Sequence, residues 1–511
     1  MVCTVHPLKG LDLSANICSK VISFLPHQAQ LNARQVDKVW YHASKELSCQ
    51  FAFMRSILAL SKREISWILK DHFKLVENLA HQKFNKILDP GYELTGRFLT
   101  MVLECKCTHD SADMMAFLRR LSNEKRDTIQ SLNFSNIDIT DDQITEIMAL
   151  CPSVKFLTLS SSSITGRFLT QFKEQSQLEK LSLCGCKHLN EGVLRDFFSL
   201  KAFHLKELDL SFTNTTGEAL SHILQDNQLE KLCLFSCQNL NEGILIDFFS
   251  LKASHLKELD LSSTNTTGEA LSHISRESQL ERLSLCRCER LNEEFLKDFL
   301  SQKASYLKAL NLTKTGVTGE ALSHISRESQ LEHLFLWGCK HLNEEFLKTF
   351  LSSKASHLKV LDLFDTDITG ESLVHILEQN LLKRLFLFRC KNLNEAFLKG
   401  FLSLKASHLK VLDLSETNIT GEALPYILED NQLKKLILSR CQNLNENFLR
   451  DFFSLKASHL KVLDLSSTDI TGESLSLILE KKQLEKLMLG DCKHLNKDIY
   501  EKYLNNFMKR V

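Results

Sequence analysis

Leucine alternates with variable residues in short runs along most of the chain: Leu205, Leu208 and Leu210 form one run and Leu229, Leu232 and Leu234 the next. The last two leucines of a run lie two residues apart, the period that places both on one face of an extended strand. Lys231, Cys233 and Phe235 then face the other way. After each run the spacing changes to three and four, as in residues 216–224 and 240–249, which predicts a helix. Thr215 and Glu218 have capping-box spacing, and Asn241 is placed to cap the second helix. Each unit therefore reads as strand, turn, helix.

The units are copies. His204-Leu-Lys-Glu-Leu-Asp-Leu-Ser returns almost unchanged from His255, His357, His408 and His459, with Tyr306 in place of His once, at an interval of 51 residues. Cys186, Cys237, Cys288, Cys339, Cys390, Cys441 and Cys492 keep the same interval. Inside it lie two half-units of 24 and 27 residues, with the patterns LxxLxLxxT and LxxLxLxxC. Starts of the first kind at Val154, Leu205, Leu256, Leu307, Leu358, Leu409 and Leu460, of the second kind at Leu178, Leu229, Leu280, Leu331, Leu382, Leu433 and Leu484, and a degenerate one at Ile129 make fifteen coils. One coil has too few apolar side chains to offset the entropy of ordering itself, so neighbours must cover each other's faces. Stacking gives an α/β array with a parallel sheet on the concave side, on the order of 70 Å long, and helices on the convex side.

This pattern resembles the leucine-rich-repeat family, and the second half-unit, as in Leu280-Glu-Arg-Leu-Ser-Leu-Cys-Arg-Cys-Glu-Arg-Leu-Asn, resembles its cysteine-containing subtype. The resemblance implies a horseshoe-like solenoid over residues 128–497.

The repeat also explains residues that would otherwise invite chemistry. At the ninth position of each half-unit, Cys or Thr (Thr213, Thr264, Thr366) can satisfy turn backbone groups that the ladder leaves unpaired. A metal site at Cys184 with Cys186, or Cys286 with Cys288, fails because one of each pair points inward and the other outward. The histidines at 204, 255, 357, 408 and 459 are repeated architecture rather than a catalytic constellation. We expect no cofactor, no metal and no catalytic residue. Lys plus Arg and Asp plus Glu both total 63, so no global field draws the chain onto nucleic acid. No run of about 18 apolar residues and no signal pattern is present. The expectation is a soluble chain in a reducing interior, cytoplasmic or nuclear, or in a host cytosol if the source is an intracellular bacterium, acting as a monomer within a complex.

Near-identical copies make the differing positions visible. Most fall on outward-facing strand residues. Phe335, Trp337, Phe364, Phe386 and Phe388 occupy that face in three consecutive coils, flanked by Arg384 and Arg389, with His333, Arg287 and Arg440 nearby and Asp362, Asp365 and Asp413 between. Clustered aromatics of this kind suggest a hot spot for a protein substrate. The alternative is that the rings merely stack on one another.

The first residues differ in composition. After a tail of residues 1–10, Ile17, Val21 and Phe24 fall on one helical stripe, Pro26 stops it, and Val36 and Trp40 lie one turn apart on the next helix. Leu13, Val21, Ser23, Phe24, Leu25, Val36 and Trp40 match the spacing of an F-box, with Ser14 where proline is usual and Asn16 where an acid is usual. Residues 11–52 are thus similar to an F-box module, in the order found in F-box/leucine-rich-repeat proteins. That resemblance implies a Skp-type adaptor bound through Leu13, Ile17, Val21, Leu25, Pro26, Val36 and Trp40, a cullin scaffold behind it, and a substrate held by the repeats for ubiquitin transfer. A plain helical lid over the first coil is the other reading. Residues 53–127, with Ile57, Leu60, Ile65, Ile68 and Leu69, read as a helical linker and cap, and 498–511 as a closing helix. A binding module or inhibitor without a ligase link is the alternative function. An enzymatic solenoid is disfavoured, because nothing distinguishes Arg287, Arg389 or Arg440 from contact residues.

Overall fold

The structure, a computed structural model, describes residues 121–501 except 136–137, 161–162, 173–175, 429–430, 480–482 and 500, together with Met115, Leu118 and Arg119. The F-box-like module at 11–52, nearly all of the linker at 53–127 and residues 502–511 of the closing helix lie outside the described residues. The chain divides into two units. In the first, the described residues form a short helix, Asn123–Asp127, capped by the Ser122 hydroxyl, which accepts from the Lys125 N–H. The second unit is the repeat array.

Its strands form one open sheet of fifteen, all parallel and in chain order from Ser131–Ser135 to Lys486–Met488, matching the fifteen coil starts. The register is set by the inward leucines: Leu208 lies beside Leu232, and Leu232 beside Leu259. All three are buried, as are Leu210, Leu234 and Leu261 one step further on. The half-units of the second kind continue into ten-residue α-helices such as Glu242–Leu251, Glu293–Gln302 and Glu344–Ser353. Each carries an apolar stripe, Leu347, Phe350 and Leu351 in the last, packed inward. Asn241 caps its helix as expected, its side-chain oxygen accepting from the Gly243 N–H at 3.0 Å. The array is a leucine-rich-repeat solenoid of alternating strand and helix.

Two local expectations change. The half-units of the first kind hold only a short turn of helix, Glu218–His222 in 3-10 geometry or Glu269–Ser272. They are three residues shorter, and the chain returns to an extended conformation at Ile223 (ψ 137°). The capping box between Thr215 and Glu218 does not form either. The donors there turn to the preceding coil, where the first residue of each long helix is an acid. Glu344 accepts from the Thr369 N–H (2.7 Å) and hydroxyl (2.6 Å), the Gly370 N–H (3.0 Å), and the Ser372 N–H and hydroxyl (both 3.2 Å). Glu191, Glu242, Glu293, Glu395 and Glu446 repeat the arrangement. Burial pushes the Glu242 carboxyl up, but donation from Thr267, Thr266 and Ala270 outweighs it and holds the group below its ordinary value. A glycine is required where the capped segment begins: Gly268 has φ 88°, and an added Cβ would lie 2.8 Å from Leu291.

A second seam lies under the turn that follows each strand. The Leu210 carbonyl accepts from the Thr213 hydroxyl at 2.6 Å and from the Cys237 thiol of the next coil at 3.0 Å. The same trio recurs at Leu312, Thr315 and Cys339 and at Leu363, Thr366 and Cys390. Burial pushes these thiols up, so they serve as donors and not as nucleophiles. Cys184 is half-buried and Cys186 fully buried.

One copy is imperfect. Ser474 stands where Ala219, Ala270, Ala321 and Ala423 stand in other coils, and among the described residues its buried hydroxyl has no partner. Ser474→Ala should raise stability by about 1 kcal/mol, read as an increase in Tm of the full chain. A decrease would show that the hydroxyl is satisfied in solution.

Candidate functional site

The outward strand residues form columns across the sheet, because every strand is paired in register. The column two residues before the turn of each coil runs through Phe335, Asp362, Phe386, Asp413 and Ile437. The next column, at the strand ends, contains Trp337, Phe364 and Phe388. These three make a continuous ladder. Trp337 stacks on Phe364 with ring centres 4.7 Å apart and planes 22° from parallel, and Phe364 meets Phe388 edge-on at 4.4 Å. All five aromatics expected here are on the open face and half-buried. Phe335 and Phe386 occupy the neighbouring column, and the Phe335 ring lies 6.4 Å from His333. Burial pushes the His333 imidazole below its ordinary value, leaving it neutral near pH 7.

The two arginines differ. Arg384 is exposed and, among the described residues, makes no ion pair. Arg389 is engaged: its Nε donates to Glu416 at 2.9 Å, the same carboxylate receives Arg440 at 2.5 Å, and the Arg389 guanidinium sits 5.6 Å from the Phe388 ring centre. Burial raises the Glu416 carboxyl, and the donations from Arg440 and Arg389 overcome it, so its pKa lies below the usual range. Arg389 and Arg440 thus brace the end of the ladder as a clamp on one acid. At the other end Lys314 Nζ lies 4.7 Å over the Trp337 ring.

Arg389, Arg440, Glu416, Lys314 and Asp365 share a backbone feature. Each sits in the turn after its strand with φ between 51° and 59°. In that conformation the N–H of Arg389 donates to the backbone carbonyl of Ser415 in the next coil (2.8 Å), and that of Glu416 donates to the backbone carbonyl of Ser439 (2.9 Å). The turn recurs in nearly every coil, so the strained backbone belongs to the architecture and the charged side chains on it are where copies diverge.

Between the aromatic columns the aspartates are partly sequestered. Burial pushes the Asp362 carboxyl up, against the Phe364 N–H, and pushes Asp413 up against its Ser415 donors and Lys435. Sequence reasoning did not single out a second aromatic contact on the same face, Phe212 against Phe235, with ring centres 4.9 Å apart. Phe212 occupies the left-handed turn position (φ 58°), which leucine spacing alone does not mark.

The family model described as "Leucine Rich repeat" matches residues 354–377, 405–426 and 456–479. The chain is 26% identical over 304 residues to the DNA repair protein rhp7 of Schizosaccharomyces pombe, an alignment covering 55% of this chain and 53% of that protein. The chain thus spans about half the length of this curated relative. Among solved structures, the yeast Rad7 and Elc1 complex matches with 14% identity and a TM-score of 0.41, covering 88% of this chain and 91% of that one. An internalin, InlF, from Listeria monocytogenes matches with 14% identity and a TM-score of 0.36, covering 76% and 93%.

Proposed function

We propose that the chain is the substrate-recognition subunit of a cullin-type ubiquitin ligase, holding a protein substrate on the open sheet face while its N-terminal module docks a Skp-type adaptor. The observation that carries the substrate half is the aromatic ladder of Trp337, Phe364 and Phe388, half-buried on the outward face of the strands. Flat rings held by their neighbours lose little entropy on binding and bury a large area, which is what a hot spot needs. The ligase half rests on the F-box-like spacing of Leu13, Ile17, Val21, Leu25, Pro26, Val36 and Trp40. In this reading the chain contributes affinity and position, and transfer chemistry belongs to its partners.

The test uses the full chain as bait in eukaryotic cytosol. Wild type should capture a Skp-type adaptor with its cullin, and a separate substrate protein. Leu25→Asp with Trp40→Ala should lose the adaptor and keep the substrate. Trp337→Ala with Phe386→Ala should do the reverse, without unfolding the array. Substrate capture with no adaptor in wild type would leave a binding module without a ligase link. Substrate capture unchanged by the aromatic substitutions would remove the site.

A further inference from the structure

The residue just before each strand follows a rule that breaks in one place. In first-kind coils it is always lysine: Lys155, Lys206, Lys257, Lys308, Lys359, Lys410 and Lys461. In second-kind coils it is glutamate at Glu179, Glu230, Glu281, Glu332 and Glu485. Neighbours therefore pair across the sheet: Lys206 with Glu179 at 3.0 Å, Lys257 with Glu230 at 3.1 Å, Lys308 with Glu281 at 3.0 Å and Lys359 with Glu332 at 2.6 Å. At the two remaining second-kind coils the acid is replaced by Lys383 and Lys434. Lys383, Lys410 and Lys434 then stand on three adjacent strands, linked through their backbones, with no acid in the row.

The next position tells the same story. Earlier in the array Lys180 pairs with Glu207 (2.7 Å), and Glu258 takes Lys231 (2.8 Å) and Arg282 (3.2 Å). In the later coils Val360, Val411 and Val462 replace those glutamates, and Arg384 and Lys435 lie between valines. Among the described residues, none of Lys383, Arg384, Lys410, Lys434 and Lys435 forms an ion pair. In a chain with equal numbers of acids and bases, five cations are gathered where the repeat elsewhere neutralises itself. Adjacent like charges about 4.8 Å apart repel, so the row opposes folding and marks a site that binds something.

We propose that this row is the electrostatic half of the substrate site and takes an acidic peptide segment whose apolar anchor rests on the Trp337–Phe364–Phe388 ladder. The proposal deepens the protein-binding reading and rests on it. The geometry sets the ligand: the cations stand at the start of the strands and Phe388 just past their end, four residues along the chain from the outward-facing Arg384 and five from Lys383, roughly 13–16 Å, so carboxylates and anchor should be separated by about five residues of extended chain. A protein segment fits better than a nucleic acid, because Asp362, Asp413 and Asp464 line the adjoining column and would face a polyanion that continued across the sheet.

The probe is a labelled peptide with three glutamates, a Gly/Ser spacer of about five residues and a tryptophan, measured against its glutamine analogue on the full chain. The glutamate peptide should bind about tenfold tighter, a preference that fades with salt. Lys383→Glu with Lys434→Glu restores the residues other coils carry. This variant should fold with a higher Tm and lose the preference. Equal binding of the two peptides, a preference that survives the double substitution, or tighter binding of a single-stranded oligonucleotide of equal charge would overturn the proposal. If the two peptides bind wild type equally and both fail with Trp337→Ala plus Phe388→Ala, the face still binds protein and only the acidic assignment falls. If neither substitution pair affects any peptide, both readings fall.

Discussion

Glu344→Ala should lower the unfolding free energy of the chain by about 3 kcal/mol. The carboxylate accepts five hydrogen bonds from Thr369, Gly370 and Ser372, and Gly370 and Ser372 are buried, so water cannot freely replace it. Each abandoned donor carries a desolvation penalty, and the first turn of helix Glu344–Ser353 also loses the anion that complements its dipole. Glu344→Gln keeps one acceptor oxygen but aims an amide at N–H groups, so about half of the loss should remain. Urea denaturation of the full chain reads the total. Hydrogen exchange at residues 369–372 reads the location, since the bonds cross from one coil to the next. An effect below about 0.5 kcal/mol would mean that the cap is incidental to stacking.

Phe350→Ala should be the more damaging of the two, at about 3–5 kcal/mol. Its ring is fully buried in the same helix, and Phe299, Phe401 and Phe452 occupy the equivalent place in neighbouring copies with the same complete burial. The short helices Glu320–Ser323 and Glu371–His375 pack against this helix from either side and fix the space, so the void has little room to close. Because coils touch mainly their neighbours, weakening one in the middle should also divide the melt. Calorimetry should then show two transitions where wild type shows fewer. Leu404→Ala is the matched control: that leucine ends the next long helix 66% exposed, and its truncation should change stability by less than about 0.5 kcal/mol. Equal effects at both positions would contradict the core assignment.

Leucine spacing carried the strands, their register and their number, because a period of two has one structural solution when one face must be covered. It also carried the aromatic face, since outward residues follow from the same period. It misjudged residues 216–224, whose helical spacing is real but whose start is set by Gly217 and by an acid from the coil before, neither of which periodicity records. Spacing placed Arg389 beside the aromatic face but could not show that Glu416, 27 residues away, accepts from it. Such pairs depend on which turns stack, information that lies between copies and not within one. The basic row was equally present in the sequence and became meaningful once neighbouring strands showed that Lys383, Lys410 and Lys434 are adjacent. The F-box-like spacing at 11–52 lies outside the described residues and keeps the standing of a resemblance.

The reach of each acidic cap, one coil and no further, bears on how this molecule changes over generations. The segments from Gly268 and from Gly319 share the run Gly-Glu-Ala-Leu-Ser-His-Ile-Ser-Arg-Glu-Ser-Gln-Leu-Glu. Misaligned recombination between two such stretches would remove or add one whole module of 51 residues. The joint left behind would find the same carboxylate, the same glycine and the same threonines waiting on both sides. Groove length can therefore be edited in steps of two strands, with each new version foldable at once.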